Sequence, residues 1–63
     1  MSDIPRAAIL VREFKLDMEL TGVCRYIEAE PYPALGVLYI RKTALKGRPP
    51  KAIRVVVLEV RRR

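Results

Sequence analysis

Glu13-Phe14-Lys15-Leu16-Asp17-Met18-Glu19-Leu20 alternates strictly between charged and apolar residues. Phe14, Leu16, Met18 and Leu20 share one face and the four charges share the other, which is the two-residue repeat of a half-buried strand. A helix is the rival reading, because Leu10, Phe14 and Met18 stand four apart and the residue types favour helix. On a helix, however, Leu16 and Leu20 project away from that stripe, so the strand is preferred. Thr21-Gly22 comes next, and glycine accepts the positive φ of a tight hairpin turn. Val23 to Ala29 then resumes with Val23, Tyr26 and Ile27, as a returning strand does. The two runs predict an antiparallel hairpin.

Glu30-Pro31-Tyr32-Pro33-Ala34 breaks the pattern, since two prolines two apart cannot continue a central ladder. Beyond it, Gly36-Val37-Leu38-Tyr39-Ile40-Arg41 reads as a third strand. Lys42 to Lys51 is a positively charged connection with Gly47 and Pro49-Pro50 as breakers, and with room for one helical turn at Thr43-Ala44-Leu45. Ala52 to Val60 is the fourth strand. Its alternation is imperfect: Ile53, Val55 and Val57 lie on one face, while Val56, Leu58 and Val60 lie on the other. A strand apolar on both faces is covered on both, or changes face at a bulge. The expectation is an all-β domain of about four antiparallel strands in two hairpins. A curled barrel, or a dimer of sheets, supplies the second cover.

Sixty-three residues make one domain: a flexible lead-in over 1–6, a β domain over 7–60 and a basic tail over 61–63. So short a chain buries only about 60% of its unfolded surface and needs support. With one cysteine and no histidine, a disulfide and a structural zinc site are both excluded as that support. Oligomerisation, most simply a twofold dimer, is expected instead. Ala7 to Val11 is far short of the roughly 20 apolar residues that span a bilayer, and no secretory signal is visible. A soluble, cytoplasmic protein with no membrane partner and no cofactor is expected.

Charge is divided unevenly between the halves. Residues 1–31 carry four cations and six acids, net −2, whereas residues 32–63 carry nine cations and Glu59 alone, net +8. A concentrated positive field attracts polyanions. Arg41, Lys42, Lys46, Arg48, Lys51 and Arg54 are the candidate nucleic-acid-binding residues, since phosphate recognition needs cations presented together. Tyr32 and Tyr39 lie on the approach to this loop as candidate stacking faces for unpaired bases. Two alternatives stand beside DNA or RNA binding. An acidic protein partner, or self-assembly, uses the same charge; or the cations are a solvated sheet edge, pairing across strands with Glu13, Asp17 and Glu19.

Catalytic chemistry finds no motif. Cys24 has Arg25 beside it but no histidine to serve as its base, and free cysteine usually behaves as a small buried hydrophobe. The acids form no enclosed pair, and Gly22, Gly36 and Gly47 are scattered singly rather than grouped in a phosphate loop. Neither catalytic residues nor metal ligands are expected.

The segment LYIRKTALKGRPPKAIRVVV, about a third of the chain, resembles the C-terminal part of short uncharacterised prokaryotic proteins that end in an LYI-x-K-x-AL…PP-x-x-I-x-V-x-V pattern. That resemblance implies no activity. The same segment is more faintly similar to the AbrB-like swapped-hairpin DNA-binding antitoxins and regulators, in which a G-x-I-x-I-P-K strand leads through a short helix to a second strand. Here Arg41 stands in place of the proline, the Gly-Asp before the last strand is absent, and about thirty-five residues precede the motif. The similarity implies topology only.

Overall fold

The computed structural model describes residues 7–60 of the chain; the expected lead-in and basic tail lie outside the described residues. Four strands form: β1 (Ala8–Leu20), β2 (Val23–Glu28), β3 (Val37–Arg41) and β4 (Ala52–Leu58). A single 3₁₀ turn, Lys42–Ala44, follows β3 where the sequence leaves room for a helical turn. All pairings are antiparallel, in the order β3-β2-β1-β4, and the sheet curls into a half-barrel.

The pairing is not two successive hairpins. β1 and β2 do form one, closed by Thr21-Gly22 with Leu20 opposite Val23 and positive φ at Gly22. β3 pairs with β2, but β4 crosses to the far edge and pairs with β1. The cause lies in β1, which begins at Ala8, well before the alternating octet. Its first half is apolar on both faces and finds matching residues in β4: Leu10 opposite Val57, Val11 opposite Val56, and Phe14 opposite Ile53. Glu13 opposite Arg54 adds opposite charges to the same register.

The octet does not keep one face throughout. A bulge between Leu16 and Met18 shifts the register, so Met18 sits opposite Arg25 and Glu19 sits opposite Cys24. One extra residue flips every later side chain to the other face. Met18 and Leu20 therefore leave the face of Phe14 and Leu16, and Met18 is 46% exposed. A second bulge, between Ala8 and Leu10, leaves Ile9 exposed near the start of β1.

Phe14, Cys24 and Tyr26 are the fully buried residues of the concave face, with Leu16, Leu38, Ile40, Leu45, Ile53 and Val55 packed around them. Cys24 is a free, buried thiol filling a small space in this core. Burial pushes the Tyr26 phenol pKa up, with Cys24 and Glu19 adding to the effect. Its hydroxyl still has a partner, donating to the Pro50 carbonyl at 2.8 Å. That bond matters because a buried hydroxyl without an acceptor is costly.

β2 and β4 lie along different stretches of β1. β2 pairs from Phe14 to Leu20 and β4 from Ala8 to Lys15. The first five residues of β1 and the end of β4 thus form a two-stranded ribbon. Leu10, Val55 and Val57 line its concave side; Ala8, Val11, Val56 and Leu58 line its convex side.

Candidate nucleic-acid interface

Since β3 and β4 are the two outer strands, the connection between them has to cross β2 and β1. Residues 42–51 do so as a strap over the concave face. Its first residue is held by the Lys42 amide donating to the Gly22 carbonyl at 3.0 Å. Leu45 turns inward onto the core, and the Leu45 amide donates to the Lys42 carbonyl at 3.0 Å. Lys46 (φ 52°) and Gly47 (φ 102°) are both left-handed, which reverses the chain behind Leu45. At the far end Pro50 accepts the Tyr26 hydroxyl, and the Lys51 carbonyl accepts the Leu16 amide at 2.8 Å. The strap closes the core beneath it and leaves its longer polar side chains outside.

The six candidate cations divide into two groups. Arg54 Nη2 lies 3.1 Å from Glu13 Oε2, and Lys42 Nζ lies 3.4 Å from Glu19 Oε1. Both are the cross-strand pairs that the solvated-edge alternative anticipates. Arg41, Lys46, Arg48 and Lys51 are exposed and form no ion pair among the described residues. Elsewhere Asp17 is taken by Arg25 at 2.7 Å and Glu28 by Arg12 at 3.0 Å. The acids of the first hairpin are therefore matched one to one, and the unpaired cations among the described residues are these four, on the strap and at its root, together with Lys15 on β1.

The two tyrosines are separated by the topology. Tyr39 is 60% exposed on the convex face of β3, opposite Arg25 and two residues before Arg41. Tyr32 is 88% exposed but belongs to the β2–β3 connection, at the opposite end of β3 from the strap. The structure therefore corrects the expectation that both approach the basic loop.

That second connection is built around a residue with no visible motif. Glu28, the last residue of β2, points to the concave side with its side chain fully shielded. Its carboxylate accepts the amides of Ala34 at 3.1 Å, Leu35 at 2.7 Å and Gly36 at 2.9 Å. Burial alone would push the Glu28 carboxyl up; the amides of Gly36, Ala34 and Leu35, with the Arg12 charge, outweigh it and hold the group low. Arg12 Nε approaches as an ion pair too bent to make a hydrogen bond, and its Nη1 donates to the Val11 carbonyl at 3.1 Å. An acid followed by a proline-rich loop is the only trace of this clamp in the sequence, and it is too common to be diagnostic.

Among the described residues, no group of three His, Cys, Asp or Glu is placed to hold a metal, and no helix is long and apolar enough to cross a membrane. An open depression beside the Glu13–Arg54 pair is lined also by Ala52 and Ile53. No family model, curated protein or solved structure matches the chain.

Proposed function

We propose that the protein binds nucleic acid through the phosphate backbone, using Arg41, Lys46, Arg48 and Lys51 as its principal contacts. What carries this reading is the internal matching of acids: Glu13, Asp17, Glu19 and Glu28 each have a cation, while these four cations have none among the described residues. Lys42 and Arg54 are secondary contacts. Exposed pairs such as theirs are worth only about 0–1 kcal/mol, so a phosphate competes for them with the carboxylate. The strap is anchored at Gly22, Tyr26 and Leu16, which limits the ordering cost of presenting its charges. The same matching leaves Glu30 as the exposed acid of residues 7–31 without a cation, little for an electrostatic head-to-tail self-assembly to use.

An electrophoretic shift assay with duplex and single-stranded oligonucleotides tests the reading. With four phosphates neutralised, affinity falls by about 50- to 150-fold between 50 and 200 mM salt. Replacing Lys46, Arg48 and Lys51 together by Gln removes most of that dependence. Absence of binding to either form at low salt overturns the proposal.

The β1–β4 ribbon favours a second, compatible reading: a homodimer joined there. Two strands alone are marginal in water, and this pair is apolar on both faces, with Ile9 67% and Leu58 44% exposed. Residues 8–12 and 55–58 carry one charge, Arg12, which is already paired with Glu28. Two chains of net charge +6 repel least when joined by their uncharged parts, with the straps kept apart. Light scattering then shows a doubled mass that persists in high salt and is lost in Leu58→Glu; a single-chain mass at every concentration rejects the dimer.

A further inference from the structure

We infer that Tyr39, between Arg25 and Arg41 on the convex face of β3, is a base-stacking site that makes the protein prefer unpaired nucleic-acid strands to duplex. The inference rests on the phosphate-binding reading above and gives it a substrate class. β3 is an edge strand, so one long side of this surface is open to solvent. Along its convex face run Val37 (47% exposed), Tyr39 (60%) and Arg41. Ile27 and Arg25 stand opposite the first two on β2.

Each neighbour has a distinct part. Arg25 is held in place by Asp17, whose carboxylate accepts from its Nε at 2.7 Å and is the acid at this surface. Directly opposed residues have Cβ atoms about 5 Å apart, so the arginine held by Asp17 is the immediate cross-strand neighbour of the tyrosine. Asp17 first, and Tyr39 after it, hold the Arg25 pKa above its ordinary value. Val37 and Ile27 are apolar neighbours of Tyr39 on the same convex face. Arg41 lies about 7 Å along the strand, at the root of the strap, and has no acid partner among the described residues. A strand whose phosphate meets Arg41 can lay a base on Tyr39 and then turn round the open edge of β3 to bring later phosphates to the strap on the concave side.

A duplex cannot use this surface in the same way. Its bases are already stacked on one another, and the ring meets only backbone. Phosphate contacts are common to both forms, whereas stacking is available only to an unpaired strand and is tolerant of sequence because every base has a π-face. Tyr39 therefore supplies selectivity for strandedness, not for sequence.

Fluorescence anisotropy tests this with a labelled oligothymidylate of about a dozen nucleotides and a duplex of equal length. At matched salt the wild type binds the single strand more tightly. Tyr39→Ala weakens single-strand binding at least about fivefold while duplex affinity and the salt slope stay unchanged. Tyr39→Phe keeps the wild-type preference, because the ring is retained. Melting curves of both variants match the wild type, since the side chain is mostly exposed. Equal binding of both forms, or equal loss of both in Tyr39→Ala, overturns the stacking site but leaves the phosphate reading standing. No binding of either form refutes both.

Discussion

The two longer connections of this small sheet are both interrupted by prolines, yet they are secured by opposite means. Between β2 and β3, the chain is gathered around one buried carboxylate that accepts three consecutive amides and faces an arginine. Between β3 and β4, the chain is held mainly by its backbone, by one phenol and by one leucine, and of its charged side chains only Lys42, paired with Glu19, helps to hold it. The first connection consumes its polar chemistry internally. The second leaves its polar chemistry outside, and a binding function can only be built from groups that the fold does not require. The contrast predicts that fold and binding respond to different residues.

Glu28→Gln is the largest single break expected on the structural side. It removes the charge that faces Arg12 and leaves at most one good acceptor for three amides, within a core of few fully buried residues. The melting temperature falls strongly while the ratio of single-strand to duplex affinity in the remaining folded protein is unchanged. A pH series sharpens the point. Because the folded carboxyl pKa lies below its ordinary value, the stability it contributes is present above that ordinary value and is lost as pH falls through the folded one. Wild-type melting therefore declines on acidification, and the Glu28→Gln curve is lower at neutral pH but flatter in acid. Parallel curves in thermal scans argue against the clamp.

Tyr26→Phe is the matching test at the strap, with a smaller effect. The ring stays in the core and the bond to Pro50 is lost, costing about 0.5–1.5 kcal/mol in chemical denaturation. Since the strap then has one anchor fewer, binding weakens modestly while the salt slope holds. If Tyr26→Phe leaves both stability and affinity untouched, the strap is held by Leu45 and the backbone alone.

How much of this was legible depends on whether a residue answers to its neighbours in sequence or to another strand. The Gly22 turn, the last three strands and the helical turn at the strap are local and were readable from alternation, glycine and proline. The alternation of the octet was readable only as far as Leu16. The bulge beyond it arises from pairing β1 with partners on two sides, and nothing at Asp17 announces it. The place of β4 at the far edge is likewise non-local, although its two apolar faces signalled the need for a cover. At the candidate site, the sequence identified every cation but could not sort them: Arg54 and Lys42 differ from Lys46 and Arg48 only in which acid the sheet brings near. Glu28 was the least visible, since its role is set by three amides that arrive only once the loop has closed.

The smallest expected effect concerns that sorting. Arg54 and Glu13 are directly opposed on β4 and β1 and are paired at 3.1 Å, but both side chains are more than half exposed. A double-mutant cycle of Arg54→Ala and Glu13→Ala in urea yields a coupling of about 0.2–1 kcal/mol, shrinking as salt is added. The more telling reading of the same variants is in binding. If Arg54 is held back by Glu13, removing the acid frees a cation, so Glu13→Ala binds nucleic acid slightly more tightly than the wild type. Arg54→Ala then binds slightly less tightly, and by less than the loss of any one strap cation. Should Arg54→Ala instead cost as much as Lys46→Ala, the distinction between paired and spare cations fails, and the interface extends from the strap onto the convex face of β4.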